Sequence, residues 1–253
     1  IYAEVVRELV AIDMPPSNAF VDTLKEVWDS GDAALPIDQR LPDGARRELI
    51  AKFRVSSIVS ADGLRVKVAD GDPVEDGDAL VVATSGSTGE PKGVVHTHSS
   101  IQASVINTGA RLGCSKTDHW LACISLAHVG GLSVVLRALH FGSRLTIEPR
   151  ADRATISSAV KNGANMTSLV PTVLQSVDIS GFKTVLVGGA HAPMRLPSNA
   201  ILTYGMTETF GGVVYNGSPI DGVEIRVTTD SEIEIRCDSL LRTYRNGFNP
   251  KNS

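Results

Sequence analysis

The sequence is poor in the features that mark secreted, metal-binding and membrane proteins. Its 253 residues include only three cysteines, Cys114, Cys123 and Cys237, and these form no CxxC pair. An odd number of widely spaced cysteines argues against a disulfide scaffold and predicts buried, reduced thiols in a cytoplasmic protein. The six histidines include no HExxH motif, so we expect no zinc site. No apolar run approaches the roughly 18 residues that a transmembrane helix needs, so we expect no membrane span.

Neither charge sign dominates, and aromatic side chains are scarce. Lys and Arg number 24 against 28 Asp and Glu, a net charge of −4. This balance excludes a broad nucleic-acid-binding surface. Aromatic residues make up 5% and hydrophobic residues 42% of the chain, which is typical of a globular protein with its own core. The first ten residues mix charged and apolar side chains and form no signal peptide, and the lack of Met at position 1 predicts a start further upstream.

Short apolar runs bounded by turn residues alternate with longer helix-like stretches. The β-branched run at 79–84 is typical of a buried strand. We predict further strands at 120–125, 144–147, 166–170 and 183–187, and helices at 99–112, 130–141 and 152–162, the last with Asp152 at its start. This alternation predicts an α/β fold with a largely parallel sheet.

The chain changes character after residue 222. Val223, Ile225 and Val227 alternate with charged residues, and the same alternation follows at 232–236. This pattern predicts an antiparallel hairpin with one buried face. We therefore divide the chain into an α/β body at 1–222 and a β-hairpin region at 223–253. Upstream of the strand at 79–84, the acidic stretch 70–78 is expected to be a solvated loop.

A glycine-rich string, TSGSTGEPKG, follows the predicted strand directly and runs from Thr84 to Gly93. Its glycines leave backbone N–H groups exposed, its hydroxyls add donors, and Lys92 adds a positive charge, a combination that suits a polyphosphate. Ligands of α/β sheets also bind at the carboxyl ends of strands. The string is not a Walker A loop, because Pro91 precedes the lysine and Gly93 follows it. Pro91 also disfavours helical backbone at Glu90, so we expect a flexible flap.

This string resembles the phosphate-binding signature of the adenylate-forming acyl-CoA synthetase superfamily. VGGA, ending at Ala190, resembles the adenine-contacting loop of that superfamily, and TYGMTE, ending at Glu208, resembles its adenine- and magnesium-binding motif. The three strings occur in the order seen in the family, and the resemblance spans 79–222. It implies the large N-terminal domain of the acyl-adenylate-forming fold, with mainly parallel sheets and a small antiparallel region near the C-terminus. It also implies a reaction in which a carboxylate attacks the α-phosphate of ATP.

The resemblance implies a role for each residue of the phosphate-binding string. The side chains that would hold the β- and γ-phosphates, which leave as pyrophosphate, are those of Thr84, Ser85, Ser87, Thr88 and Lys92. Gly86 and Gly89 would let the backbone approach the phosphates closely.

The other two strings would hold the rest of the nucleotide. The resemblance places Gly188, Gly189 and Ala190 on one side of the adenine and the Tyr204 ring along its face. Gly205 and Met206 belong to the same nucleotide-binding string. Thr207 would donate its hydroxyl to the α-phosphate, and Glu208 would bind Mg²⁺, which prefers oxygen ligands.

Three longer strings resemble the o-succinylbenzoate–CoA ligases, a narrower family whose thioester product leads to menaquinone. They are HVGGLSVVLRAL from His128, SLVPT from Ser168 and YGMTETFGGVVYNGSPIDGV from Tyr204. The resemblance implies ATP, Mg²⁺ and coenzyme A as cofactors or substrates and a small carboxylic acid as partner. It places His128 at the acyl pocket, where an imidazole would orient the acid and act with Lys92, Thr207 and Glu208 in catalysis.

The second carboxylate of o-succinylbenzoate needs a donor partner. Ser168, Thr172 and Ser218 are weak candidates. Arg137 lies on a helical pattern and is predicted to face solvent. His96 and His98 are predicted to be structural.

The chain also departs from the family pattern. It contains neither the Thr-Gly-Asp string that binds the ribose nor the later lysine of the mobile C-terminal domain. We therefore expect this chain to bind ATP and the acid but to turn over slowly. Two alternatives stay open, a ligase for another aromatic or fatty acid and a non-catalytic module that binds ATP or AMP. The sequence leaves the oligomeric state open, a homodimer included.

Overall fold

Two units make up the chain in the computed structural model, which describes residues 6–85, 90–189 and 195–250. Unit 1 holds the residues up to His98 together with those from Leu241 onward, and unit 2 holds Ser99–Leu240. Each unit is built around its own seven-stranded sheet.

The helices and strands alternate along the chain. In chain order the strands are β1 (Leu9–Asp13), β2 (Ala33–Pro36), β3 (Ser57–Ser60), β4 (Arg65–Lys67), β5 (Asp78–Ser85), β6 (Pro91–Thr97), β7 (His119–Ala122), β8 (Arg144–Ile147), β9 (Met166–Leu169), β10 (Thr184–Val187), β11 (Ala200–Met206), β12 (Gly211–Tyr215), β13 (Ser218–Pro219), β14 (Glu224–Val227), β15 (Ile233–Arg236) and β16 (Thr243–Tyr244). The helices are α1 (Asn18–Asp29), α2 (Asp43–Lys52), α3 (His98–Leu112), α4 (Val129–Phe141), α5 (Arg153–Lys161) and α6 (Pro171–Leu174).

The sheet of unit 1 has the strand order β16-β6-β5-β2-β1-β3-β4. Its central strands β5, β2, β1 and β3 run parallel, whereas β6, β16 and β4 are antiparallel to their neighbours. Strands β1 and β2 are buried on both faces, which explains their nearly continuous apolar sequence. Ser17 caps the start of helix α1, because its hydroxyl accepts a hydrogen bond from the Phe20 amide. The helix buries Phe20, Leu24 and Val27.

The sheet of unit 2 has the order β13-β12-β11-β10-β9-β7-β8. Five neighbouring strands of this sheet are parallel, namely β8, β7, β9, β10 and β11. Strands β12 and β13 extend the sheet in the antiparallel sense. The carboxyl ends of β7, β9, β10 and β11 therefore lie at one edge of the sheet, where α/β proteins bind their ligands. Strands β14 and β15 form a separate hairpin.

The predicted α/β class and its mainly parallel sheets are confirmed, and most predicted elements match within a residue or two. The strand predicted at 120–125 ends at Ala122, three residues early. The side chain of Asp152 accepts a hydrogen bond from the Thr155 amide at 2.8 Å and caps α5 as expected.

Several expectations about burial are wrong in part. Of the three thiols predicted to be buried, only Cys123 is, whereas Cys114 and Cys237 are half-buried. The hairpin predicted after residue 222 forms, but Val227 and Ile233 are 65% and 50% exposed and do not share a buried face. Asp78, at the end of the predicted solvated loop, is 2% exposed and begins β5. Its burial is possible because the Arg242 guanidinium pairs with it at 2.7 Å.

Candidate functional site

The string TSGSTGEPKG, predicted to bind phosphate, includes the end of β5 and the start of β6 in unit 1. The two strands pair so that Thr84 lies opposite Lys92 and Ser85 opposite Pro91. Because directly opposed residues project from the same face of a sheet, the Thr84 and Lys92 side chains are neighbours. Lys92 is exposed and Thr84 is half-buried. Gly86, Ser87, Thr88 and Gly89, and with them the expected flap, lie outside the described residues, as does the Ser85 side chain.

The same string carries one carboxylate, Glu90, whose charge would repel a polyphosphate. Lys52, the last residue of α2, forms an ion pair with Glu90. The hydrogen bond from Lys52 holds the pKa of the Glu90 carboxyl below its usual range. The Lys52 ammonium therefore offsets the Glu90 charge close to Lys92, so the surroundings of Lys92 are more favourable to an anion.

In unit 2, Gly188 and Gly189 follow β10 directly at the carboxyl edge of the sheet. Val187 pairs with Leu202 of β11, and the Thr203 hydroxyl donates to the Val187 carbonyl at 3.2 Å. A Cβ on Gly188 would lie 2.5 Å from Thr203 Oγ1, so the close approach of the two strands requires a glycine. Gly189 has φ +88°, where glycine is also favoured. Ala190 lies outside the described residues.

The string around Tyr204 continues from β11 into a tight turn. Tyr204 and Met206 alternate with Gly205 and are exposed, at 42% and 37%. A Cβ on Gly205 would lie 1.9 Å from the Gly211 carbonyl oxygen of β12, so glycine is needed there as well. The exposed Tyr204 ring offers a flat apolar face of the kind that stacks on a base.

A single 3₁₀ turn, Thr207–Thr209, carries Thr207 and Glu208, which are both half-buried. The buried Thr209 hydroxyl lies 3.1 Å from both the amide nitrogen and the carbonyl oxygen of Met206, and 2.7 Å from the Gly211 carbonyl oxygen. Thr209 thus holds the turn that presents Thr207 and Glu208, a structural role that the sequence motif alone did not indicate.

His128 lies at the same edge of unit 2, after β7 and immediately before α4. It is exposed, and its side chain makes no hydrogen bond to the first-turn amides of α4. The two amides that do pair, those of Gly131 and Leu132, bond to the His128 carbonyl. A Cβ on Gly131 would lie 2.3 Å from the Ser125 carbonyl oxygen, so the glycine lets α4 begin close against the loop.

The predicted solvent-facing position of Arg137 is wrong. Arg137 is 3% exposed, and its guanidinium lies 4.8 Å from the centroid of the Trp120 ring. Its nearest hydrogen-bond contact is from Nη2 to Ser168 Oγ at 3.4 Å, and its Nε has no partner. No carboxylate among the described residues forms an ion pair with it, and desolvation lowers the pKa of Arg137. The signal was present in the sequence, because VGGLSVVLRALHF is apolar on every side, which is typical of a buried helix.

Neither a metal centre nor a membrane span is evident in the described part of the chain. No group of three or more His, Cys, Asp or Glu residues there could hold a metal ion. A single carboxylate such as Glu208 suits Mg²⁺, which commonly binds one or two carboxylates together with substrate phosphates. None of the described helices is long and apolar enough to cross a bilayer.

Comparison with known proteins agrees with these features. The model of the family described as AMP-binding enzyme matches residues 59–235. A probable 2-succinylbenzoate–CoA ligase of Mycobacterium tuberculosis is 34% identical over 238 residues, which cover 85% of this chain. The chain spans about 60% of the length of that relative.

Solved structures share the fold. The O-succinylbenzoate coenzyme A synthetase of Bacillus subtilis in complex with AMP superposes with a TM-score of 0.83, at 21% identity, over 95% of this chain and 78% of that one. The same enzyme with ATP and magnesium gives a TM-score of 0.82 at 21% identity, over 98% of this chain and 64% of that one. The family predicted from the three motifs is confirmed, and so is the fold. The chain belongs to the AMP-binding enzyme family.

Proposed function

We propose that this chain is the ATP- and acid-binding part of an acid–thiol ligase that converts o-succinylbenzoate to its acyl adenylate and then to its coenzyme A thioester. Family membership and the 34% identity to a probable 2-succinylbenzoate–CoA ligase support the reaction class. The observation that carries the choice of acid is the buried guanidinium of Arg137, which pairs with no carboxylate among the residues that the structure describes.

Each of the three motifs is assigned one part of the nucleotide. In unit 1, Thr84 and Lys92, which oppose each other across the hairpin, would hold the β- and γ-phosphates. The residues between them that share this proposed role are Ser85, Gly86, Ser87, Thr88 and Gly89. An ammonium with adjacent hydroxyls and amides would stabilise the departing pyrophosphate.

In unit 2, the Tyr204 ring would lie along the adenine, with the glycine turn after β10 on the other side of the base. Gly188, Gly189 and Ala190 make up that side, and Gly205 and Met206 continue the strand. Thr207 would donate its hydroxyl to an α-phosphate oxygen. Glu208 fits Mg²⁺ as an oxygen ligand, and when bound the ion would neutralise phosphate charge.

The proposed first step joins the acid to the nucleotide. A carboxylate oxygen of the acid attacks the α-phosphorus, the bond from that phosphorus to the pyrophosphate oxygen breaks, and pyrophosphate leaves. In the second step the thiolate sulfur of coenzyme A attacks the acyl carbon, and AMP leaves. His128 is proposed to orient the reacting carboxylate, since it is exposed at the ligand-binding edge of unit 2.

The second carboxylate of o-succinylbenzoate would pair with Arg137. Burying a cation without a counter-ion costs several kcal/mol, and a bound carboxylate would recover part of that cost through charge-assisted hydrogen bonds. Ser168, one of the predicted weak candidates, is next to the guanidinium and would share this role. A monocarboxylic fatty acid has no group to place there.

The test is acid-dependent exchange of pyrophosphate into ATP by the full-length protein, with thioester formation followed by mass spectrometry. We expect exchange with o-succinylbenzoate at least tenfold faster than with benzoate or a fatty acid. Faster exchange with benzoate or a fatty acid would show that o-succinylbenzoate is not the substrate, but the protein would still be an acid–thiol ligase. ATP binding by calorimetry without exchange for any acid would identify a binding module instead.

A further inference from the structure

The two residues that flank strand β16 along the chain, Arg242 and Arg245, are hydrogen-bonded to other parts of unit 1. The amide of Arg242 donates to the Val95 carbonyl at 2.8 Å, and its guanidinium donates two hydrogen bonds to the buried Asp78 carboxylate at 2.7 and 2.8 Å. The amide of Arg245 donates to the Gly93 carbonyl at 2.7 Å. The Arg245 guanidinium donates to three further carbonyls, those of Phe53, Asp72 and Pro73. The two residues between these arginines are therefore held in one place.

The aromatic ring of Tyr244 is held within β16. Tyr244 pairs with Val94 of β6 and packs with Val94 and Leu241 in a small apolar cluster. The Phe248 ring stacks on the Tyr244 ring with centroids 6.1 Å apart and planes 12° apart. Only 9% of Tyr244 is exposed. The ring thus presents a fixed face beside the end of β6.

Lys92 extends onto that face. It lies two residues before Val94 on β6 and therefore on the same side of the sheet. Its Nζ lies 5.2 Å from the centroid of the Tyr244 ring, within the range of about 6 Å for a cation–π contact. A lysine side chain has four rotatable carbons and many rotamers, so a fixed aromatic face restricts where its ammonium lies.

We propose that Tyr244 is a positioning residue for Lys92. Its ring holds the Lys92 ammonium next to Thr84 before the nucleotide arrives, and β16 sets the position of the ring. This inference rests on the proposed function for the part that Lys92 plays toward ATP. The contact itself is independent of that function, and the two are tested separately.

The contact is tested first, by nuclear magnetic resonance of the full-length protein with its lysines labelled by reductive ¹³C-methylation. A Lys92→Arg variant assigns the Lys92 signal. We expect this signal to be shifted upfield by the ring current of Tyr244, to stay shifted in Tyr244→Phe and to lose the shift in Tyr244→Leu. An unshifted Lys92 signal in the wild-type protein would overturn the proposal, whether or not the variants fold.

The consequence is tested by kinetics. We expect Tyr244→Leu to lower kcat/KM for ATP about fivefold and Tyr244→Phe to stay within about twofold of the wild type. Leu64→Ala is the control, because it removes an apolar side chain that is 63% exposed in unit 1 and leaves both Tyr244 and Phe248 in place. In a Lys92→Ala background, Tyr244→Leu should cause no further loss. Two results would overturn the positioning role. One is an equal loss of kcat/KM in Tyr244→Leu and Tyr244→Phe, and the other is a loss from Tyr244→Leu that is as large in the Lys92→Ala background as in the wild type.

Failure of the proposed function would have a different signature. If the wild-type protein binds no ATP, the Lys92 signal still reports on the contact, and the kinetic comparison is replaced by the affinity for inorganic pyrophosphate. The positioning role then predicts that Tyr244→Leu weakens pyrophosphate binding while Tyr244→Phe does not. Equal affinities in the two variants would overturn it.

Discussion

The guanidinium of Arg137 lies over the indole ring of Trp120, and each of these two buried side chains keeps one nitrogen donor without a hydrogen-bond partner, Nε of Arg137 and Nε1 of Trp120. Buried donors are nearly always paired in native proteins. A buried guanidinium beside a second unsatisfied N–H donor is suited to hold an anionic ligand. The pair therefore supports the proposal that the second carboxylate of the acid binds at Arg137.

Replacing Arg137 by Met separates a role in binding from a role in stability. Because burying this charge without a counter-ion costs stability in the unliganded protein, we expect Arg137→Met to keep the free energy of unfolding or to raise it by up to about 4 kcal/mol. Loss of a buried charge pair with the acid costs about 3 kcal/mol, so kcat/KM for o-succinylbenzoate should fall about 100-fold. Chemical denaturation and pyrophosphate exchange measure the two effects.

Arg111→Met is the control for this variant, since Arg111 is exposed at the end of α3. Arg111→Met should change neither the free energy of unfolding nor kcat/KM for o-succinylbenzoate. If Arg137→Met instead destabilises the protein by more than about 2 kcal/mol and leaves the acid dependence unchanged, Arg137 is a structural residue, and its assignment to the second carboxylate is wrong.

The second prediction concerns the ion pair between Arg242, which precedes β16, and Asp78. The Asp78 side chain is 1% exposed, whereas that of Arg242 is 29% exposed. Arg242→Ala would leave the buried carboxylate without its cation, so we expect a loss of about 3 kcal/mol in stability, measured by guanidinium denaturation. Arg150→Ala, at an exposed pair 3.9 Å from Asp152, should cost less than about 0.5 kcal/mol. Equal small losses in both variants would mean that Asp78 is stabilised by other groups.

The thiol of Cys123 provides a prediction about pH. Burial raises the pKa of Cys123 to about 11, and the residue is 1% exposed. At pH 8 about one thiol in a thousand is ionised, and thiolate is the reactive form. In the native protein, iodoacetamide should therefore modify the half-buried Cys237 at least 100 times faster than Cys123, and in denaturant at similar rates. Mass spectrometry of the modified peptides measures both rates, and comparable native rates would contradict the buried position.

The same shift has a consequence for stability. The pKa of Cys123 is raised from 9.0 in the free thiol, so its contribution to stability is complete below pH 9 and is lost as the pH rises toward about 11. Denaturation at pH 8 and 10.5 should show a smaller alkaline loss in Cys123→Ala than in the wild type. The same loss in both proteins would assign the alkaline sensitivity to other groups.

Local patterns predicted much of the fold. A strand or a helix can be predicted where the pattern lies in consecutive residues. The structure has a strand at the β-branched run 79–84 and a helix at the apolar stretch 130–141, as predicted. The burial of Asp78 depends instead on Arg242, which lies 164 residues further along the chain. Sequence spacing contains no such information. The place of Tyr244 beside Lys92 likewise follows from the pairing of β16 with β6.

Arg137 shows a different limit. Its helix is apolar on every side, and that pattern predicts burial, but the general rule that charged residues are exposed pointed the other way. Such conflicts between a local pattern and a residue's ordinary preference occur at functional sites, where a cost in stability is accepted for binding. The conflict itself is therefore a useful signal for a ligand.

Gly205, which lies between the exposed Tyr204 and Met206, leads to the last prediction. A methyl group there would lie 1.9 Å from the Gly211 carbonyl oxygen, so Gly205→Ala forces β11 and β12 apart and should cost about 3 kcal/mol in stability. Because Tyr204 and Thr207 adjoin this contact, ATP affinity measured by calorimetry should fall at least tenfold. Gly44→Ala is the matched control, since a methyl group on Gly44 in α2 meets nothing within 4 Å, and it should keep or raise stability by up to about 1 kcal/mol. A Gly205→Ala protein as stable as the control, with wild-type ATP affinity, would mean that the close approach of β11 and β12 does not position the nucleotide-binding residues.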